Sequence, residues 1–193
     1  MSFFDRAYSE VMGNEGGYAN NANDKGGETY CGISRRFHPN WNGWKYIDKI
    51  KQIRKIKWNE HFSELDSSVR DFYHVKFWNR INGDAYTNYE LAVQMFDAAV
   101  NCNTIPAAKF LQRTLNVLNR RGTLWKNLDP DGQIGENTIK ALNAALKIIN
   151  TKLLLIVFNI IRGSYYVDIM EADESQEDWA RNWISRLHIQ PTK

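Results

Sequence analysis

Two glycine pairs, Gly16–Gly17 and Gly26–Gly27, enclose an Asn- and Asp-rich segment in the stretch NEGGYANNANDKGGETYCGIS that begins at residue 14. Each helical glycine costs roughly 1 kcal/mol relative to alanine, so adjacent pairs fix two places where a helix cannot continue. The apolar residues Phe4, Tyr8, Val11 and Met12 recur at helical spacing before the first pair, which predicts an amphipathic helix over residues 2–14 with Glu15 next on its apolar stripe. After the second pair, ETYCGIS has the residue types of a short strand or hairpin. A chain built this way must place one small β element directly after its opening helix.

The rest of the 193 residues reads as helix. WKYIDKIKQIRKIKW at 44–58 is expected to be helical, although isoleucines every three residues drift around a helix and leave its buried face poorly defined. Residues 64–81 are predicted as one helix closed by Asn82–Gly83, and residues 88–101 as another with an Asn cap. IPAAKFLQRTLNVLN follows with Pro106 in a first turn and Phe110, Leu111, Leu115 and Leu118 on one face. The loop LDPDGQIG leads to ENTIKALNAAL, then to a long helix over 151–171. A final helix is predicted with Ser175 as its cap and Trp179, Trp183 and Leu187 in an i, i+4, i+8 row. The fold class is therefore mainly α with one small β-hairpin. The turn at 82–88 is the nearest thing to a seam, giving regions 1–87 and 88–193 packed into one compact unit.

Composition narrows the function. Aromatic residues make up 13% and charged residues 24%, a balance that supports a folded core and a wet surface. A net charge of +3 is too mild for a dedicated duplex-DNA binder, so no nucleic-acid partner is expected. Cys31 and Cys102 are too few for a disulfide framework. LLLIVFNII at 153–161 is about half the length a bilayer demands and reads as a buried core helix, not a membrane span. The nearest two histidines, His61 and His74, are thirteen residues apart, outside zinc-ligand spacing. DPDGQIGENT has Ile134 where a calcium loop needs glycine, and reads as a turn with a helix cap. No metal, cofactor or obligate oligomer is implied; a monomer is expected.

The opening stretch supplies two carboxylates in contrasting settings. Cleavage of a glycosidic bond needs a proton for the leaving oxygen and a second group to direct water or to stabilise an oxocarbenium-like transition state. A carboxyl at the edge of an apolar helical face loses hydration and stays protonated to higher pH, the setting predicted for Glu15. Asp24, among Asn and Gly, is expected to be wetter and ionised. Thr29 offers a hydroxyl on the following strand that holds a water beside Asp24. The competing structural reading makes Glu15 a solvated helix end and Asp24 a turn former.

EGGYANNANDKGGETYCGIS resembles the signature of the glycoside hydrolase 108 family, lysozyme-like N-acetylmuramidases that cut the glycan strands of peptidoglycan, some of them labelled secretion activators or phage endolysins. The resemblance implies a lysozyme-like α+β fold and assigns the Glu of EGGY, Glu15, as the catalytic acid. The Glu, Asp, Thr order also looks like the catalytic triad of phage-type lysozymes, which carries Asp24 and Thr29 over. FYHVKFWNRINGD is similar to the family's aromatic segment, with Phe77–Trp78 in the usual Tyr-Trp place. MFDAAVNCNTIPAAKFLQRTLN, DGQIGENTIKAL and WARNWISRL look like its peptidoglycan-binding C-terminal region, with Cys102 and Asn182 as departures from more familiar small residues.

Peptidoglycan glycan strands are thus the expected partner, with Tyr18, Tyr30 and Trp78 as candidate sugar contacts whose alternative is a place in the core. The basic run at 45–57 is read as a solvated helix face in preference to a groove for an anionic wall polymer. Two other readings compete with it: a cysteine peptidase using Cys31 on the peptide stems, and a non-catalytic wall-binding or secretion accessory protein. MSFFDRAYSEVMG does not read as a signal peptide. Synthesis in a bacterial or phage-infected cytoplasm and action at the wall are expected, with release by a holin, a secretion system or lysis.

Overall fold

The computed structural model describes residues 2–13, 16–20 and 27–187. The chain divides into two compact units, Met1–Lys76 and Phe77–Lys193. Expected and observed architecture agree: a mainly α, lysozyme-like fold with one small antiparallel sheet.

In the first unit, helix α1 (Phe3–Met12) starts at a capping box in which Ser2 and Asp5 satisfy each other's backbone N–H groups, both at 3.1 Å. It buries Phe4, Ala7 and Met12. Three strands follow, β1 (Tyr18–Asn20), β2 (Glu28–Tyr30) and β3 (Ile33–Ser34), in the order β1-β2-β3. Both pairings are antiparallel, with Tyr18 opposite Tyr30 and Thr29 opposite both Ala19 and Ser34. The β2–β3 turn is Cys31–Gly32, with φ of 44° and 74°. Two positive φ values are what a two-residue hairpin turn needs to match strand twist. Cys31 therefore occupies the turn of the hairpin that ETYCGIS was expected to form.

Helix α2 (Gly43–Ile53) is shorter than the expected 44–58, and the isoleucine spacing explains why. Ile47 is fully buried, but Ile53 has already rotated to 80% exposure. The chain then leaves the helix through an extended Arg54 (φ −159°, ψ 163°), which lets Ile56 bury. It returns along β1, with Tyr18 N–H donating to Glu60 O at 2.9 Å and Asn59 N–H to Tyr18 O at 2.8 Å. The expected helix over 64–81 is four pieces end to end: a 3-10 turn Ser63–Leu65, α3 (Asp66–Tyr73), a π-helical stretch His74–Trp78 and a 3-10 turn Asn79–Ile81. Its buried positions run Val69, Phe72, Tyr73 and then Trp78 and Ile81. The five-residue step from 73 to 78 matches the wider π turn.

The second unit is helical. Helix α4 (Tyr89–Cys102) is capped by Asn88, which accepts from Leu91 N–H at 3.0 Å. One left-handed residue, Asn103 (φ 80°), joins it to α5 (Thr104–Leu118). Then come α6 (Glu136–Ile148), α7 (Thr151–Ala172) and the short α8 (Ala180–Ser185). Leu91, Met95, Phe96, Leu111, Leu115, Leu142, Leu154 and Phe158 form the core, each with no exposed surface.

Helix α7 is long and apolar enough to cross a membrane by length and composition, yet one third of its most apolar window is buried in the protein. Leu154, Phe158 and Tyr166 face the core while Leu153 and Ile160 are exposed, so α7 is buried on one side and not wholly. Its fully buried Arg162 sits 2.6 Å from Asp97 of α4, which also pairs with Arg186 at 2.8 Å. Arg162 Nε donates to the Tyr166 hydroxyl at 2.8 Å, which donates to Asn101 Oδ1 at 2.7 Å.

The final element corrects two expectations. Asp173, not Ser175, is the cap: its Oδ1 accepts from the Ser175 N–H at 3.0 Å and hydroxyl at 2.7 Å. Asp173 is extended (φ −150°, ψ 99°), as an N-cap requires, and a 3-10 turn over Glu174–Trp179 follows. Trp179 belongs to that turn and Leu187 lies beyond the end of α8, so Trp179, Trp183 and Leu187 do not share one α-helix. Trp179 stays 56% exposed, while Trp183 stacks on Tyr166 with ring centres 5.2 Å apart.

Candidate active site

The β1–β2 pairing organises what is described of the opening stretch. Directly opposed residues share a face of a sheet, so Tyr18, Tyr30 and Glu28 occupy one side and Ala19, Thr29 and Ser34 the other. Thr29 is half-buried, and the residues paired with it on both sides, Ala19 and Ser34, are small. Glu15 and Asp24 lie outside the described residues; in the sequence they precede and follow β1.

The strand leaving the EGGY motif is held by close backbone contact. Gly17 N–H donates to Asn59 Oδ1 at 2.6 Å. A Cβ at Gly17 would stand 2.3 Å from the Glu60 carbonyl oxygen and 2.8 Å from that of Asn59. Only glycine admits the returning 54–60 segment at this distance.

Glu28 is the charged centre of the opposite face and was not singled out from the sequence. Its Oε1 accepts from the Tyr18 hydroxyl at 2.8 Å and from Lys51 Nζ at 2.9 Å, while Arg35 Nε lies 2.9 Å from Oε2. Arg35 also binds Asp48, with Nη2 2.7 Å from Oδ1 and Nη1 3.1 Å from Oδ2, and lies over the Trp44 ring at 4.6 Å. The hydrogen bonds from Arg35 hold the Asp48 carboxyl below its ordinary range. Burial, and then the bond to Glu28, push the Tyr18 hydroxyl up to about 12. With its oxygens engaged by three side chains, Glu28 braces the sheet against α2. The alternation of Glu28 with Tyr30 was the one local signal of its position; its partners at 35 and 51 are set by the fold.

Tyr30 has no exposed surface, and burial raises its hydroxyl above the ordinary tyrosine range. That hydroxyl accepts from Phe62 N–H at 2.8 Å and faces Phe62 O at 3.2 Å, fastening β2 to the 62 region. Trp78 is also fully buried, but in the second unit: its indole N–H donates to Asp84 Oδ1 at 2.8 Å and its ring meets Phe96 edge-on at 5.8 Å. Of the residues picked from the sequence, Tyr18, Thr29 and Tyr30 therefore meet on one hairpin and Trp78 does not. Packing roles account for Tyr30 and Trp78.

Cys31 and Cys102 are free thiols. Cys31 is buried, and its carbonyl accepts from the Tyr73 hydroxyl at 2.9 Å. Burial pushes the Cys102 thiol up, against its hydrogen bond with the Tyr166 hydroxyl and the charge of Arg162. Among the described residues, no three His, Cys, Asp or Glu side chains are placed to hold a metal ion.

The second unit has a cleft of about 790 Å³ beside the DPDGQIG loop, lined by Trp125, Asn127, Asp129 and Asn137 among others. Gln112, 2% exposed, builds its wall by donating to Asp131 Oδ1 at 2.8 Å and Gln133 O at 3.0 Å and accepting from Gly132 N–H at 3.0 Å. This is the pinned turn before α6 that the sequence reading preferred to a calcium loop.

Residues 8–102 match the family model described as glycosyl hydrolase 108, and residues 106–188 match the model described as a predicted peptidoglycan domain. No curated protein matches the sequence. Among solved structures, that of SagA from Brucella abortus is similar at 22% identity and a TM-score of 0.66, covering 95% of this chain and 88% of that one. At that identity the likeness bears on the fold.

Proposed function

The chain belongs to the glycosyl hydrolase 108 family and ends in a predicted peptidoglycan domain, and on that premise we propose that this peptidoglycan hydrolase is an N-acetylmuramidase with Glu15 as its general acid. It cuts the bond from N-acetylmuramic acid to N-acetylglucosamine. Glu15 gives its proton to the leaving glycosidic oxygen. Asp24, with the Thr29 hydroxyl, orients the water or stabilises the positive charge that develops on the sugar ring.

The observation that carries this reading is the register of the hairpin. Antiparallel pairing returns Thr29 beside Ala19, at the middle of the strand whose two ends lead in sequence to Glu15 and Asp24. The Gly17 contact with residues 59 and 60 fixes the start of that strand. A peptidase centred on Cys31 is disfavoured by the burial of that residue inside a two-residue turn.

The protein acts at the cell wall as a monomer, with the glycan strands of peptidoglycan as its substrate. The test is clearing of a sacculus suspension together with release of reducing ends by wild type, Glu15→Gln, Asp24→Asn and Cys31→Ala. Loss with the first two and retention with the third supports the assignment. Loss with Cys31→Ala in a folded protein, accompanied by new amino groups, overturns it in favour of stem cleavage.

A further inference from the structure

The basic run over 45–57, expected to be a solvated helix face, is largely exposed along α2, and its later residues line a cleft. An open cleft of about 800 Å³ lies between β1 and the segment that follows α2, lined by Tyr18, Lys51, Arg54, Lys55, Lys57 and Trp58 among others. Four cations line it, and no acidic residue is among its lining residues. Lys51 is answered by Glu28 at 2.9 Å. Arg54 is answered by Glu60 through two bonds, at 2.5 and 3.0 Å. Lys55 and Lys57 have no carboxylate partner within ion-pair distance among the described residues.

The wall that carries these two lysines is fixed. Buried Ile56 anchors it from between them, Lys57 N–H donates to Glu60 Oε2 at 2.8 Å, and residues 59 and 60 are hydrogen-bonded to Tyr18. Trp58 stands beside them 73% exposed, an indole with little of its surface removed from water. Neutral sugars are held by aromatic faces and amide or hydroxyl groups. A cluster of cations that outnumbers its own counter-charges instead selects an anion.

Resting on the muramidase reading, we propose that this cleft binds the carboxylates of the peptide stems that branch from the glycan strand, with Lys55 and Lys57 as the charge contacts and Trp58 covering the stem. Continuity with the hairpin favours this occupant. The cleft is walled by Tyr18, the residue that directly follows the Gly16–Gly17 pair, so a strand engaged at the EGGY stretch presents its branches here. The cleft thus separates substrate by stem charge, while cleavage itself is the task of the hairpin.

The full chain carrying Glu15→Gln, which holds sacculi without cutting them, serves for binding, with and without Lys55→Gln/Lys57→Gln. Sacculi are used in three forms: unstripped, stripped of phosphate-bearing wall polymers and otherwise native, and stripped with stem carboxyls converted to neutral amides. The two substitutions are expected to weaken co-sedimentation with native sacculi about fivefold, the scale of two exposed charge contacts. Amidated sacculi should bind both proteins alike, and Lys55→Arg/Lys57→Arg should restore native binding. In the cutting enzyme, the same lysine pair should raise the substrate concentration for half-maximal rate and leave the maximal rate unchanged.

Equal binding of native sacculi by both proteins overturns the proposal. So does a difference that survives amidation, or one seen only while phosphate polymers remain, which would assign the cleft to those polymers. Because co-sedimentation reads retention and not product, these outcomes are independent of whether wild type releases reducing ends.

Discussion

Gly17→Ala probes the closest backbone approach in the first unit. The added methyl would meet Glu60 O at 2.3 Å, Glu60 C at 2.6 Å and Asn59 O at 2.8 Å. These distances fall about 1 Å short of the ~3.5 Å at which a carbon ceases to be repelled. All three atoms are main chain, so no rotamer change relieves the clash. Moving the segment away stretches Gly17 N–H to Asn59 Oδ1 (2.6 Å), Tyr18 N–H to Glu60 O (2.9 Å) and Asn59 N–H to Tyr18 O (2.8 Å). Three hydrogen bonds at roughly 1 kcal/mol each and the ~1–3 kcal/mol of an overpacked contact converge on a loss of about 2–3 kcal/mol. In a chain of this size that is a fall in melting temperature of roughly 4–12 °C, read by circular dichroism, with sacculus clearing reduced in parallel. Gly27 is the control. It has φ of +65° and nothing within 4 Å of an added Cβ, so Gly27→Asn, a residue that tolerates this conformation, should melt within about 2 °C of wild type, while Gly17→Asn should not. A Gly17→Ala protein that melts and clears like wild type would refute the close-approach argument.

Asp97→Ala strands the fully buried Arg162 guanidinium and should cost ~3–5 kcal/mol, whereas adding Arg162→Met should recover most of the loss; calorimetry of the single and double variants decides. Gln112→Ala removes the buried amide that holds the 131–133 turn and should cost about 2–3 kcal/mol, with faster hydrogen exchange confined to the neighbouring amides. Acid should loosen the first unit. The hydrogen bonds from Arg70 hold the Asp5 carboxyl at about 2 against an ordinary 3.8, and those from Arg54 hold Glu60 at about 2 against 4.5. Both folded values are depressed, so the stability they confer is complete above the ordinary values and is lost as pH falls towards 2. Melting temperature should drop between pH 4.5 and 2, less steeply in Asp5→Asn/Glu60→Gln; an unchanged slope in that variant would contradict the assignment.

What the sequence made legible was local. Asn88 sits directly before an apolar-periodic run, and its cap bond to Leu91 involves only neighbours. The second glycine pair marked the start of β2 for the same reason, whereas α1, expected over 2–14, stops at Met12 with Gly13 as its cap, before the first pair. Local reasoning stopped where a distant segment chose between alternatives. Ile47, Ile50, Ile53 and Ile56 cannot share one helical face, but that Ile56 would bury by leaving the helix depends on the return of residues 59 and 60 to Tyr18. Ser175 and Asp173 are both plausible caps, and the extended backbone at Asp173 selected it. Trp78 carries the same chemistry as a sugar platform, and its bond to Asp84 and contact with Phe96 put it in the core. Glu28 was passed over because Arg35 and Lys51, which give it its role, approach it only in the fold.

The most direct measurement is mass spectrometry of borohydride-reduced products after wild type and Glu15→Gln act on purified glycan strands. Products ending in reduced muramic acid from wild type, and none from a Glu15→Gln protein that melts normally, are the predicted result. Products ending in reduced glucosamine, or undiminished cleavage by the variant, would contradict it.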